Sequence, residues 1–264
     1  MRTFRFELMR PEELLAEQER FSVAYLPVGP LEWHGPHMPF GTDPLDAQAV
    51  AYSIAEKLGG VVFPTLFFGT EAARSPEMVR RMGFEDDTLY VVGMDVPNNT
   101  VKSCYSPEEM FGVILRENLR LIISHGFKLV VIVNGHGADG QLATGERLAN
   151  ELSNTTASKV LFTRALQKLD EQDEQLGHAN IAETSMQMYI SGDSVDISKL
   201  PPRDVPLKTS EWGIADSLLF QGKGNKEHTV EHDPRDASAE LGKRYVENGA
   251  KRISELILKT YKEL

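Results

Sequence analysis

The run KLVVIVNG at 128–135 constrains this chain more than any other stretch. A strand that is apolar on both faces has to be covered on both, which is the situation at the centre of a parallel sheet. Two further β-prone runs precede it, VAYLPVG at 23–29 and VVFPTLFF at 61–68, and KVLFTR at 159–164 follows it. The proline inside the first argues for a strand end or an edge.

Helical stretches alternate with these strands. PEELLAEQER at 11–20 places a proline at a helix start. PLDAQAVAYSIAEKLGG at 44–60 carries a rough apolar face and ends on two glycines. The clearest helix spans 106–127, with Ser106 as N-cap, Glu109 completing a capping box and Gly126 at the far end. QLATGERLANEL at 141–152 reads as another. The tail after 237 reads as one or two amphipathic helices, with Ile253, Leu256, Ile257 and Tyr261 on one face. This alternation predicts a three-layer α/β/α sandwich with a mainly parallel central sheet. At 264 residues and with no linker-like stretch, residues 1–264 read as a single domain. Residues 69–107 are irregular and too long for an ordinary connection; LYVVGMDV at 89–96 is a candidate strand inside them.

Charge narrows the function. Lys plus Arg total 28 against 39 Asp plus Glu, a net charge of -11, which does not attract a nucleic acid backbone. No apolar run approaches membrane-spanning length, and the charged N-terminus has no signal-peptide core, so the chain is expected to be cytoplasmic. Its one cysteine, Cys104, excludes an intramolecular disulfide. GKG at 222–224 lacks the flanks of a phosphate loop.

Four of the seven histidines, His34, His37, His136 and His178, sit in polar, glycine-rich loops near carboxylates. Glu32 and His34, two residues apart, point the same way if extended. Asp43 closes a loop that can fold back on them. His136 immediately follows the buried strand, where sites form in open α/β sheets. Imidazole and carboxylate together suit zinc, manganese or iron, and a carboxylate such as Asp43 can bridge two ions. Each fragment alone is weak: the Glu-x-His spacing is common, and a lone His136 reads equally well as a loop residue. His228 and His232 read as part of a solvated loop, and Met186 and Met188 as core.

Three segments taken together resemble one family. PVGPLEWHGPHMPFGTD at 27–43, NGHG at 134–137 and HANIAETS at 178–185 are similar, in order, to the signatures of the creatininase (creatinine amidohydrolase) family. The resemblance implies a short parallel sheet with a site for one or two divalent ions at its edge, and a homo-oligomer, often a hexamer. Glu32, His34, Asp43 and His136 match family metal ligands, with Asp43 bridging. His178 matches a proton-shuttling histidine, and Glu183 a glutamate at or beside the metals. Ala138 departs from the pattern: creatininase carries a metal-binding glutamate there. Asp139 is one residue off, which leaves Glu183 as the candidate replacement ligand and catalytic carboxylate. GMDVPNNTVKSCYSPEE also departs from the family pattern, and no aromatic clamp is evident near His178.

The implied activity is hydrolysis of a C–N bond in a small polar or cyclic amide by a metal-activated water. Two alternatives stand beside it. One is hydrolytic C–C opening of a cyclic polyol ketone such as a keto-inositol. The other is a non-catalytic metal-containing binding or structural subunit, which the loss at Ala138 would permit.

Overall fold

A computed structural model describes residues 3–71, 73–81, 84–85, 90–91, 95, 101–170, 177–205, 207–209, 226–227 and 233–264. The N-terminal helix α1 (Pro11–Arg20) leads into strand β1 (Val23–Gly29), and α2 (Thr42–Leu58) follows. The expected strand at 61–68 is two short ones, β2 (Val61–Val62) and β3 (Leu66–Phe67), interrupted around Pro64. Then come β4 (Ala73–Arg74), α3 (Pro76–Arg81), β5 (Tyr90–Val91) and α4 (Glu108–Ser124). The remaining elements are β6 (Leu129–Asn134), α5 (Asp139–Thr155), β7 (Lys159–Arg164), α6 (Ile181–Ser191), β8 (Lys208–Thr209), β9 (Lys226–Glu227) and α7 (Ala239–Tyr261).

The main sheet runs in the order β2-β1-β6-β7, with β3 also on β1, and all these pairs are parallel. Alternate residues of its two central strands feed opposite cores. Val23, Tyr25, Leu129, Val131 and Val133 pack with apolar residues of α2, α6 and α7. Ala24, Leu26, Val28, Val130 and Ile132 pack with α4 and α5. That is the three-layer arrangement expected of a strand such as LVVIV.

The structure corrects several readings. β1 lies inside the sheet rather than at its edge. The Val28 carbonyl accepts from Gly135 on one side, and the Tyr25 carbonyl accepts from Phe63 on the other. By alternation the Pro27 nitrogen faces the β2–β3 side, between the residues paired to those two strands. Its missing N–H therefore costs no ladder bond. Ser106 does not cap α4: its hydroxyl donates to the Gly69 carbonyl at 3.1 Å, and Pro107 holds the cap position. The tail is one helix, with Ile253 and Ile257 buried but Leu256 exposed. Of the candidate strand at 89–96, only Tyr90–Val91 pairs, with β4; most of the rest lies outside the described residues, as do GKG 222–224, His228 and His232. Met186 is buried in the core, as expected, and Met188 is half-buried.

The chain leaves β1 through α2 toward β2 and later returns through α4 to β6 on the other flank of β1. Strand order therefore reverses between β1 and β6, and their carboxyl ends open a crevice where ligands bind in such sheets. Two glycines let α2 descend into it. A Cβ on Gly29 would crowd the Pro44 nitrogen at 2.7 Å, and one on Gly135 would overlap the Asp43 carbonyl. Gly135→Ala is expected to cost about 1–3 kcal/mol through overpacking against backbone that cannot rotate away; urea unfolding of the variant measures it, and an unchanged midpoint would refute the contact.

Candidate metal centre

Each half of the crevice contributes side chains through a short, tied loop. Beyond β1, the Glu32 amide donates to the Phe40 carbonyl at 2.9 Å, closing the 32–40 loop. Asp43 sits in the first turn of α2, where free N–H groups favour a carboxylate. His136 leaves β6 two residues after Asn134, whose side-chain amide donates to the His136 carbonyl. Glu183 occupies the first turn of α6, capped by Asn180. Ala179 adopts a φ of 52°, a conformation uncommon for a residue with a Cβ, and its N–H donates to Glu183 Oε2 at 2.6 Å.

Glu32, His34, Asp43, His136 and Glu183 converge and are buried. Asp43 faces both ways: Oδ1 lies 3.2 Å from His34 Nε2, and Oδ2 lies 2.9 Å from His136 Nδ1. Glu183 Oε2 is 3.7 Å from His34 Nε2, and Glu32 Oε2 is 3.1 Å from His136 Nδ1. Two groups result, His34–Asp43–Glu183 and Glu32–Asp43–His136, each with its ligand atoms within 4.8 Å of one another. A third, Glu32–His34–His178, meets the same limit. His178 Nδ1 stands 3.9 Å from Glu32 Oε2, with its ring 4.4 Å from that of His34.

The donor set fits divalent cations. His34 Nδ1 lies 3.0 Å from the Glu32 carbonyl, which can only accept, so the proton sits there and Nε2 presents a lone pair. That Nε2 and Asp43 Oδ2 are buried with no hydrogen-bond partner. Lone pairs converging without donors are unfavourable until a cation lies among them. In its absence a proton is drawn in: burial opposes charging of His34, but Asp43, Glu183 and Glu32 outweigh it and lift the imidazole to about 10. Conversely, burial raises Asp43, yet His34 and His136 hold it well below the usual carboxylate range. Burial pushes Glu183 up to about 7 and His178 down to about 3.

Residues 7–257 match the model of the creatininase family, described as creatinine amidohydrolase. The chain belongs to the creatininase family. The Pseudomonas putida creatinine amidohydrolase is 31% identical over 114 residues, covering 43% of this chain and only 37% of that protein. A crystal structure of creatininase superposes with a TM-score of 0.71 at 20% identity over 98% of both chains. A manganese form (TM-score 0.68, 20% identity, 98% of both chains) and a zinc–zinc form of a creatininase variant (TM-score 0.67, 19% identity, 98% and 99%) share that fold.

Where this creatininase-family chain departs at Ala138, that residue caps α5 and offers no ligand, and the adjacent Asp139 is exposed on the cleft wall. Glu183 is the carboxylate that joins His34 and Asp43. Three residues went unnoticed in the sequence. The Tyr105 hydroxyl donates to Glu32 Oε1, which leaves Oε2 for the centre. Glu71 lies 3.7 Å from His136 Nε2. Asp46, behind the site, is raised well above the ordinary range by burial and then by Glu183, and accepts from Gln187 Nε2 at 2.7 Å. None had a local signal: all three depend on contacts that only the fold creates.

His37, flagged with the other histidines, turns away from this cluster to Thr184 Oγ1 at 3.0 Å. Burial, then the neighbouring His34, lowers it from 6.5 to about 3. The unfolded chain takes up this proton near pH 6.5 and the folded chain only near 3, so stability is lost as pH falls through that window. His37→Asn should flatten the slope of unfolding free energy against pH there. An unchanged slope in urea titrations would show that His37 titrates freely in the folded state.

Proposed function

We propose that this chain is a metal-dependent hydrolase that cleaves a C–N bond in a small polar or cyclic amide. The observation that carries this reading is the two-faced placement of Asp43, one oxygen toward His34 and the other toward His136. His34, Asp43 and Glu183 would hold one ion, and Glu32, Asp43 and His136 a second. Zinc, manganese and iron all suit these donors. Bound there, divalent ions would supply a water nucleophile at neutral pH and electrophilic assistance to the scissile carbonyl.

The chain's own groups do the rest. The Tyr105 hydroxyl fixes Glu32, and its own proton is retained because burial and then Glu32 raise it well above the usual phenol range. His178 lines the cleft and is neutral near pH 7. It can take the proton of the attacking water and return it to the departing nitrogen. The cleft holds about 320 Å3, which suits a small molecule.

One observation favours a second substrate class. Arg74, Asn134, Asp139 and Arg164 line the cleft, and no Trp, Tyr or Phe does so among the described residues. Such walls suit a polyhydroxylated ring, and hence hydrolytic C–C opening of a cyclic polyol ketone.

Metal analysis with steady-state kinetics tests the centre. Wild type should carry about two equivalents of divalent metal and Glu183→Gln about one. His178→Ala should keep both while kcat falls about 10²–10⁴-fold on whichever of a cyclic amide or keto-polyol panel is turned over. One equivalent or none in wild type would sink the two-ion reading. Full metal without turnover of either panel would point instead to a non-catalytic subunit.

We also infer a homo-oligomer, a hexamer by analogy with the family. Met110, Val113 and Leu121 stand exposed along one face of α4, with Glu117 between them. Leu121→Glu should lower the sedimentation mass; a wild-type monomer would refute the inference.

A further inference from the structure

The cleft contains a buried carboxylate that the scheme above does not use. Glu71 is 7% exposed and stands on the far side of His136 from Glu32 and Asp43. His136 presents Nδ1 to those two carboxylates. Its Nε2 is buried, has no hydrogen-bond partner and lies 3.7 Å from Glu71 Oε2. The other Glu71 oxygen is held by Arg74 Nη2 at 3.0 Å.

We propose that Glu71 is the positioning residue for His136. It accepts the Nε2 proton and so leaves the Nδ1 lone pair for the centre. This rests on His136 being a metal ligand. A neutral imidazole that gives one nitrogen to a metal carries its proton on the other, and that N–H is commonly held by a carboxylate. The present separation is longer than a hydrogen bond by about half an ångström, too short for an intervening water and within reach of a small side-chain rotation.

The backbone on both sides of this pair is tied to one residue. Gln141 Oε1 accepts from the Thr70 amide at 3.0 Å, directly before Glu71. Gln141 Nε2 donates to Asn134 Oδ1 at 2.6 Å, and Asn134 holds the His136 carbonyl. Thr70 is further fastened by its hydroxyl to the Ser106 carbonyl at 2.7 Å. Glu71 and His136 are thus placed by the same buried amide, with Arg74 orienting the carboxylate from the cleft side.

The test uses the full chain with ¹⁵N-histidine labelling and zinc titration. In zinc-loaded wild type, the His136 spectrum should report the Nε2–H tautomer with a downfield, slowly exchanging proton. Glu71→Ala should lose that proton signal and weaken one of the two zinc equivalents about 10–100-fold. Glu71→Gln, whose amide oxygen still accepts, should recover most of both and guards against a simple folding defect. Zinc affinity and proton signal unchanged in Glu71→Ala would overturn the proposal. Should wild type bind no zinc, the two-ion reading falls by itself. The metal-free His136 Nε2–H signal then decides: its loss in Glu71→Ala supports the contact, and its presence in both proteins refutes it.

Discussion

Three carboxylates and two imidazoles are buried in contact around Asp43, and the rest of the structure answers to that concentration of charge. Anions this close, out of water, repel strongly unless something positive lies among them. Protons partly serve: against the opposing effect of burial, Asp43, Glu183 and Glu32 lift His34 to about 10. Divalent cations serve better, because they meet several lone pairs at once. The surroundings hold this arrangement: the Asn134 and Gln141 amides bond to the frame, the Tyr105 hydroxyl donates to Glu32, and Asp46, raised well above the ordinary range by burial, accepts from Gln187.

The frame follows from sheet topology. Strand order reverses between β1 and β6, so their carboxyl ends diverge and leave room for α2 to enter. Entry at this depth requires bare backbone on both sides, and Gly29 and Gly135 supply it. Asp43 can therefore touch His34 from its own loop and His136 from the neighbouring strand. A Cβ at either glycine would press on the helix that carries it.

Much of this was legible in the chain. Both-face burial was written in LVVIV, and the three histidine-bearing motifs carry the side chains that the fold brings together. Glu183, far downstream, comes to lie beside His34 and Asp43. What could not be read depends on long-range register. Pro27 looked like an edge residue because a missing N–H is harmless only in a gap between short neighbours, and that gap exists only once β2 and β3 are placed. Ser106 looked like a cap because capping is judged locally, whereas Gly69 competes for its hydroxyl from across the chain. Glu71 and Tyr105 lie in or beside an aperiodic segment that gives no pattern to read.

The centre is also divided between layers. Glu32 and His136 hang from strand ends, whereas His178 and Glu183 arrive with α6, which packs against α2 and α7 rather than joining the sheet's ladder. Whatever cation joins these groups clasps that helical layer to the strands beneath it. The turn at Ala179, with its φ of 52° and its N–H bonded to Glu183 Oε2, is the joint through which that layer reaches the centre.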